Sequence, residues 1–358
     1  MAPPEVWTGP TFGAFGGVST HVRQLVRHSS FHPRSFRLPP WSLWHPAWSR
    51  WLWKAEARKA RLPDPALLAA ARRASSADLL HLHAYPHWRE AYFRPRAPRA
   101  RFVYTVHQLF LEEDFASADW PRWRALRDVT FEACRAADAV VTVARWAIPA
   151  LEEAGVRARW IPNGVDVDEL RAADGEEFRR RFRIQDDFVL FASAFLRYKR
   201  PELFLRAAAA MPDKRFLMAG RGATSGAART LLGRDLPPNV TCFGELPRDL
   251  LLGAMASCRV LALPSSNEAF GIVLLEAMGL GKPVVAADAG GPRDILQDRK
   301  TGFLFRPDDE ASFRDALAAA WDAPPAVCDA GRALVEREFD WARVARQVDA
   351  VYSEVLAA

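Results

Sequence analysis

The stretch of sequence that decides the fold runs from residue 265 to residue 305 and reads SSNEAFGIVLLEAMGLGKPVVAADAGGPRDILQDRKTGFLF. It follows the apolar run RVLALP (259–264) and contains a second one, PVVAAD (283–288). Short runs that are apolar on both faces are typical of buried strands in a parallel sheet. The segment 270–280 lies between them, closes on two glycines, and is predicted to be a helix. The stretch therefore predicts a strand–helix–strand unit.

The same alternation of short apolar runs and longer amphipathic stretches continues along the 358 residues. The other runs are LLHLHAY (79–85), FVYTVH (102–107), AVVTVA (139–144), FVLFASAF (188–195), RFLMAG (215–220) and VTCFG (240–244). Strands that alternate with helices at this spacing predict an α/β, doubly wound architecture. At roughly 100–200 residues per domain, the chain length predicts two such domains.

The predicted domain boundary lies in the segment WIPNGVD, where Pro162, Asn163 and Gly164 are turn-forming residues between a strand and a helix. The first domain is predicted to span 1–162 and the second 163–339. A final amphipathic helix is predicted over 340–358. The last helix has a row of valines on one side, which indicates that this side is buried.

The charge of the chain is divided unevenly between these two parts. Residues 1–162 hold 23 Lys and Arg against 14 Asp and Glu, a balance of +9, whereas the remainder holds 26 against 29, a balance of −3. A basic half is compatible with phosphates, an anionic membrane surface or nucleic acid, but nothing beyond charge supports nucleic-acid binding. The four cysteines form no C-x-x-C pair, and neither a secretory signal nor a membrane-spanning run is recognisable. The chain is therefore expected in the cytoplasm.

Two carboxylates and a glycine define the candidate ligand site. Glu268 lies in the loop after a predicted strand, and Glu276 lies eight residues later in the following helix. Ligands of open α/β sheets bind at the carboxyl ends of strands, and the backbone N–H groups of Phe270, Gly271 and Ile272 at the helix start suit phosphate oxygens. Two glutamates eight apart are also common as ordinary helix residues, so the spacing alone leaves both interpretations open.

The stretch EAFGIVLLEAMGLGKPVVA (268–286) resembles the E-x7-E signature of glycosyltransferase family 4, a family of retaining enzymes with the GT-B fold. Other segments resemble the family in the same order along the chain: GAFGGVSTHV (13–22), TVH (105–107), PNGVD (162–166), GGPRD (290–294) and TGFLF (301–305). This resemblance implies two Rossmann-like domains that face a central cleft. The second domain would bind a nucleotide-sugar donor, and the first would present the acceptor surface. The final helix, 340–358, would cross back to the first domain.

The resemblance also assigns roles to individual residues. Glu276 would bind the donor ribose, and Glu268 would hold the transferred sugar, assisted by the segment from Ala269 to Ile272. His107 would contact the donor sugar or the acceptor hydroxyl. Gly16 and Gly17 would let the backbone approach the donor closely; a plain tight turn is the alternative interpretation of these glycines.

A cation after the strand FVLFASAF would neutralise the donor diphosphate as the glycosidic bond breaks. Lys199 occupies this place, and the stretch AFLRYKR resembles a mannosyltransferase-type variant of the motif. Many family members carry an Arg five residues earlier, where this chain has Ala194. Arg197 and Arg200 are the candidates for the missing charge.

No metal or other cofactor is expected. His81 and His83 form an H-x-H pair on a strand, but no third ligand accompanies them at a suitable spacing. His81 is interpreted as strand packing and His83 as a residue that lines the cleft. Asp166 and Asp168 spell D-x-D, yet their place in the boundary turn indicates helix capping.

The segment 41–61, WSLWHPAWSRWLWKAEARKAR, combines tryptophans with basic residues. A helix from Pro46 would place Trp48 and Trp51 on one face, which suits a membrane interface. Packing against the sheet of its own domain is the alternative, because aromatic stripes are commonly core. The membrane interpretation would place the chain at the inner face of the cytoplasmic membrane.

The predicted function is transfer of a hexose, with retention of configuration, from a UDP- or GDP-sugar to a saccharide or lipid-linked saccharide. Two alternatives stay open. A sugar-nucleotide epimerase of the same fold would act without an acceptor, and a catalytically silent subunit would bind a sugar nucleotide or glycan without turnover.

Overall fold

The computed structural model describes residues 3–11, 17–39, 64–83, 92–109 and 120–358. The chain divides into two compact units. The first comprises residues 1–163 and 341–358, and the second comprises residues 164–340. Both observed boundaries, after residues 163 and 340, lie one residue later than the predicted ones.

The first unit contains six parallel strands in the order β2-β1-β3-β4-β5-β6. The strands are β1 (Val6–Thr11), β2 (Arg34–Arg37), β3 (Leu79–Leu82), β4 (Arg101–Val106), β5 (Ala139–Thr142) and β6 (Ala158–Trp160). The chain leaves β1 towards one edge of the sheet and returns to build β3 on the other side. The boundary between β1 and β3 is therefore a topological switch point, where loops at the carboxyl ends diverge and leave room for a ligand.

Helices cover both faces of this sheet in the part of the chain that the structure describes. They are α1 (Gly17–His28), α2 (Pro65–Arg73), α3 (Trp120–Arg135), α4 (Ile148–Glu153) and the last helix of the chain, which spans Trp341–Ala357. The last helix buries Trp341, Val344 and further valines against β4 and α1. The buried Asp349 carboxylate accepts hydrogen bonds from the hydroxyls of Ser29 and Ser30 at 2.6 and 2.8 Å. These contacts attach the end of the chain to the first unit, as the resemblance implied.

The second unit contains six parallel strands in the order β12-β11-β10-β7-β8-β9. The strands are β7 (Phe188–Ala192), β8 (Arg215–Ala219), β9 (Val240–Gly244), β10 (Val260–Leu263), β11 (Val284–Ala287) and β12 (Phe303–Phe305). All residues of β7, β10 and β11 are buried, which explains why these strands read as continuous apolar runs. The switch point of this sheet lies between β7 and β10.

The helices of the second unit connect these strands. They are α5 (Val167–Arg171), α6 (Gly175–Phe182), α7 (Pro201–Ala210), α8 (Ser225–Leu232), α9 (Arg248–Ser257), α10 (Ile272–Gly279), α11 (Gly290–Ile295), α12 (Glu310–Trp321) and α13 (Pro325–Glu338), so that the last helix of the chain is α14. Asp166 caps α5, because its Oδ1 atom accepts a hydrogen bond from the Glu169 N–H at 3.1 Å. The D-x-D segment thus caps a helix, as its sequence context predicted.

Candidate active site

Two loops meet at the switch point of the second sheet. The loop after β7 ends in a short 3₁₀ turn, Arg197–Lys199, and the loop after β10 leads into α10. Because β7 and β10 are neighbours, their carboxyl ends open at the same edge. The Ser266 N–H donates to the Tyr198 carbonyl at 2.8 Å and holds the loops together. Residues 68 positions apart in sequence are thereby brought into contact.

Lys199 and Glu268 form an ion pair across these two loops. Their side chains are 13% and 14% exposed, so the pair is shielded from bulk water yet remains accessible. Burial alone would lower the pKa of Lys199, but the Glu268 carboxylate outweighs this effect and the pKa lies above its ordinary value. A fixed positive charge in a shielded site is suited to stabilise negative charge that develops on a leaving group.

The loop between Glu268 and α10 approaches a neighbouring backbone closely. Gly271 caps α10 with φ +97°, in the left-handed region that favours glycine. The Gly291 N–H donates to the Glu268 carbonyl at 2.8 Å, and a Cβ at position 291 would lie 2.3 Å from the Phe270 Cα. The Phe270 ring is buried and packs edge-on against Phe339 at 6.1 Å. This packing fixes the backbone that carries Glu268.

Glu276 is buried in α10, and its carboxylate is paired with Arg248 at 2.5 Å. Arg248 also contacts Glu169 through two nitrogens, at 2.8 and 3.2 Å. Burial raises the pKa of Glu276, although the guanidinium acts in the opposite direction. Burial would lower the pKa of Arg248, but the two carboxylates raise it above its ordinary value. A guanidinium shared between two carboxylates orients Glu276 in one rotamer.

Sequence reasoning did not single out Arg248, although one signal was present. Arg248 follows Pro247 and is the first residue of α9. A cation at a helix N-terminus is disfavoured by the helix dipole. An arginine in this place therefore indicates carboxylate partners elsewhere in the fold.

Replacing Arg248 with Met should lower the free energy of unfolding by about 2–3 kcal/mol, because the Glu276 carboxylate would stay buried without its partner. The 37% exposure of Arg248 keeps the loss below that of a fully buried pair. Urea titration measures the change. The matched control is Arg171→Met, since Arg171 pairs with Asp168 and Glu336 at an exposed position and should cost less than about 1 kcal/mol. Equal losses in the two variants would contradict the prediction.

The candidates for the second cation differ in their surroundings. Arg200 has φ +52° and pairs with Glu202 at 2.8 Å and Asp308 at 2.6 Å. Arg197 is exposed, and none of the described residues forms an ion pair with it. Because the charge of Arg200 is already compensated, Arg197 is the better candidate to replace the cation absent at Ala194.

Histidines gather at the switch point of the first sheet. His83 follows β3 and His107 follows β4, and the His83 Nδ1 and His107 Nε2 atoms lie 3.1 Å apart. His83 Nε2 lies 2.9 Å from the Thr8 hydroxyl on β1. His21 joins them from α1, with ring centroids 5.0 Å from His83 and 4.7 Å from His107. His83, which was predicted to line the cleft, is 2% exposed and lies within hydrogen-bonding distance of His107.

His81 has the structural place that was predicted for it. Its two ring nitrogens lie 2.7 Å from the Tyr352 hydroxyl on α14 and 2.7 Å from the Thr105 hydroxyl on β4. The imidazoles of this region are uncharged at neutral pH. Burial lowers the pKa of His21 to about 4, and burial together with neighbouring imidazoles holds the pKa values of His81, His83 and His107 well below the ordinary range.

Several predicted residues lie outside the described residues. Gly16 and the segment 41–61 are among them, whereas Gly17 is the first residue of α1. Among the helices that the structure describes, none has the length and apolarity needed to span a bilayer. In the second unit, the structure brings together Lys199, Glu268 and the segment from Ala269 to Ile272. His107 belongs to the first unit.

Comparison with known proteins agrees with this architecture. Sucrose-phosphate synthase from Thermosynechococcus elongatus superposes with a TM-score of 0.82 at 20% identity, over 99% of each chain. HepE from Anabaena, in complex with UDP-glucose, gives a TM-score of 0.78 at 20% identity, over 98% of this chain and 99% of that chain. The fold is the α/β GT-B fold of glycosyltransferases.

Two family models match consecutive parts of the chain. "Glycosyltransferase Family 4" matches residues 15–169, and "Glycosyl transferases group 1" matches residues 174–336. Together they span both units. The chain belongs to glycosyltransferase family 4.

Curated relatives carry the name D-inositol 3-phosphate glycosyltransferase. The relative from Mycolicibacterium smegmatis is 31% identical over 202 residues, which are 54% of this chain and 46% of the relative. The chain thus spans about half the length of the curated relatives it matches.

Proposed function

We propose that the protein is a retaining hexosyltransferase that moves a hexose from a UDP- or GDP-sugar to a saccharide or lipid-linked saccharide acceptor. The Lys199–Glu268 pair at the switch point of the second sheet carries this proposal. It combines a cation suited to a diphosphate with a carboxylate suited to sugar hydroxyls, next to the start of α10. The complex of HepE with UDP-glucose supports a uridine nucleotide as the first donor to test.

The proposed mechanism relies on position and charge. The donor diphosphate would bind at Lys199 and the N-terminus of α10, with Arg197 as the second cation, while Glu276 holds the ribose and Glu268 holds the sugar. Retention without a carboxylate nucleophile suits front-face displacement, in which the departing diphosphate accepts the acceptor proton. His107 would contact the sugar or the acceptor hydroxyl from the first unit. Two effects would raise the rate: the orientation of donor and acceptor, and the stabilisation of negative charge on the departing diphosphate.

A thermal-shift screen with UDP, GDP and their sugars tests the donor, because a ligand that binds only the folded state raises the melting temperature. We expect one nucleotide family to raise it and its sugar to be consumed with an acceptor. Inositol 3-phosphate belongs among the acceptors, given the name of the relatives. Release of an isomerised sugar without an acceptor would indicate the epimerase alternative. Binding without turnover would indicate a silent subunit.

The reaction is proposed to need no metal, because Lys199 and backbone N–H groups supply the positive charge at the leaving group. Transfer should therefore persist in EDTA at the rate measured without chelator. Loss of transfer that manganese or magnesium restores would contradict this. Asp166 is assigned to the cap of α5, and no metal-binding role is proposed for it.

The protein is further proposed to bind anionic membranes through the segment 41–61, which would favour a lipid-linked acceptor at the inner face of the cytoplasmic membrane. Basic residues near an anionic surface contribute about 1 kcal/mol each. We expect sedimentation with anionic liposomes that weakens at high salt. A Trp48→Ser/Trp51→Ser variant should sediment less while it still binds the donor. If that variant melts much earlier, the tryptophans are core residues and the membrane proposal fails.

A further inference from the structure

The buried nitrogen of His21 has no hydrogen-bond partner among the residues that the structure describes. His21 is 1% exposed, and its Nδ1 atom lies 2.8 Å from the Asn163 side-chain oxygen. An amide oxygen only accepts, so Nδ1 carries the proton and Nε2 keeps a lone pair. Nε2 is buried and unpaired. A buried polar atom without a hydrogen bond destabilises the folded state, so its presence needs an explanation.

Two further imidazole nitrogens lie close to His21. One nitrogen from each of His21, His83 and His107 lies within 4.8 Å of the others. The His83 Nδ1 and His107 Nε2 atoms are 3.1 Å apart. Two nitrogens bound at ~2.0–2.1 Å to one tetrahedral zinc ion are separated by about 3.3 Å. The cluster therefore needs only a modest contraction on the His21 side to surround an ion.

Oxygen atoms around the cluster suit tautomers of two of these histidines in which one ring nitrogen can bind a metal ion. Asn163 holds the His21 proton on Nδ1, so the Nε2 atom keeps a lone pair. The Thr8 hydroxyl lies 2.9 Å from the His83 Nε2 atom and can accept its proton, and in that tautomer the Nδ1 atom is free to bind. Oxygen acceptors behind ligand histidines are the usual second shell of metal sites. His107 is partly exposed and provides the entry side.

We propose that His21, His83 and His107 form a site for one divalent ion of the zinc class, with an open fourth position, and that the bound ion withdraws His107 from the sugar and inhibits transfer. Neutral imidazoles suit zinc, copper, nickel and iron, whereas magnesium and calcium prefer oxygen ligands. Only the inhibition rests on the proposed function. The ion replaces the hydrogen bond between His83 and His107 and gives the His21 Nε2 atom a partner.

Binding is tested on the untagged full chain, freed of metal with EDTA and desalted. Titration calorimetry with zinc and visible absorption with cobalt should each give one ion per chain, and magnesium should give none. His21→Gln and His107→Ala should each lose the four-coordinate cobalt bands. Asn163→Ala keeps all three ligands and should weaken binding about 10–100-fold through the outer shell.

The control is His32→Asn, because His32 is an exposed histidine with φ +46°, a conformation that Asn tolerates. This variant should bind zinc as the unchanged chain does. Melting curves show whether each variant is folded, and the partly exposed position of His107 makes His107→Ala the safer of the two ligand variants. No zinc binding, or binding that His107→Ala and Asn163→Ala leave unchanged, would overturn the site.

The activity measurement separates the two proposals. Zinc should inhibit transfer, EDTA should restore it, and Asn163→Ala should shift inhibition to higher zinc concentration by the same factor as binding. Zinc binding without inhibition would overturn the regulatory part. Absence of transfer in metal-free protein would count against the proposed function, while the calorimetric result would still decide the site.

Discussion

Replacing Glu268 with Gln is expected to lower kcat about 10²–10³-fold while the protein stays folded, the range observed when one charge-stabilising group is removed from an active site. Gln keeps the shape of Glu but loses the charge that pairs with Lys199. The sugar hydroxyls would lose a charged acceptor, and Lys199 would lose the partner that positions its ammonium group. Steady-state kinetics with saturating donor measure the effect, and circular dichroism confirms the fold.

The partner residue provides the matched comparison. Lys199→Ala should lower kcat by a similar factor, whereas Arg197→Ala removes an exposed charge from the same 3₁₀ turn and should cost less. Rates close to those of the unchanged protein in both Glu268→Gln and Lys199→Ala would remove this loop pair from the donor site. A larger loss for Arg197→Ala than for Lys199→Ala would show that the essential cation is Arg197.

Replacing Gly291 with Ala is expected to displace the loop that carries Glu268. The new Cβ would lie 2.3, 2.5 and 2.6 Å from the Cα, O and N atoms of Phe270, all of them backbone atoms that have no rotamer to change. Overpacking of this kind typically costs 1–3 kcal/mol, occasionally more. We expect a loss of about 3 kcal/mol in the free energy of unfolding, together with weaker donor binding.

The control for this substitution is Gly226→Ala in α8. A Cβ at Gly226 meets nothing within 4 Å, so Ala should raise stability by up to about 1 kcal/mol through its higher helix propensity. The two Gly→Ala changes should therefore shift the urea midpoint in opposite directions. Shifts of the same sign would mean that the contact between Gly291 and Phe270 is not a rigid one.

The positions of most strands could be predicted from the sequence. Their ends could not, because most of the predicted strands end one to three residues before the end of the corresponding apolar run. The run FVLFASAF is an example, because β7 stops at Ala192 and the remaining residues turn towards Lys199. The helix predicted over 270–280 begins at Ile272, since Gly271 takes a left-handed conformation that a helix interior does not accept. Local apolar periodicity locates an element, but backbone conformation decides its end.

The candidate site could be predicted only where its residues are near one another in sequence. Glu268, Gly271 and Glu276 are one loop and one helix, so a single motif reveals them. Arg248 lies 28 residues before Glu276, and its role depends on α9 packing beside α10. The spacing of residues along the chain does not indicate such a contact.

The sequence by itself determined two α/β units, their boundary segment and the loop that carries Glu268, because buried parallel strands and glycine-bounded loops leave local patterns. Tertiary structure alone decided the pairing of Lys199 with Glu268 and the grouping of His21 with His83 and His107. His21 could not be linked to His83 from the sequence, because it lies on α1, 62 positions earlier in the chain. Parallel sheets bring the carboxyl ends of distant strands to one edge, so the residues that meet there are set by strand order and not by spacing along the chain.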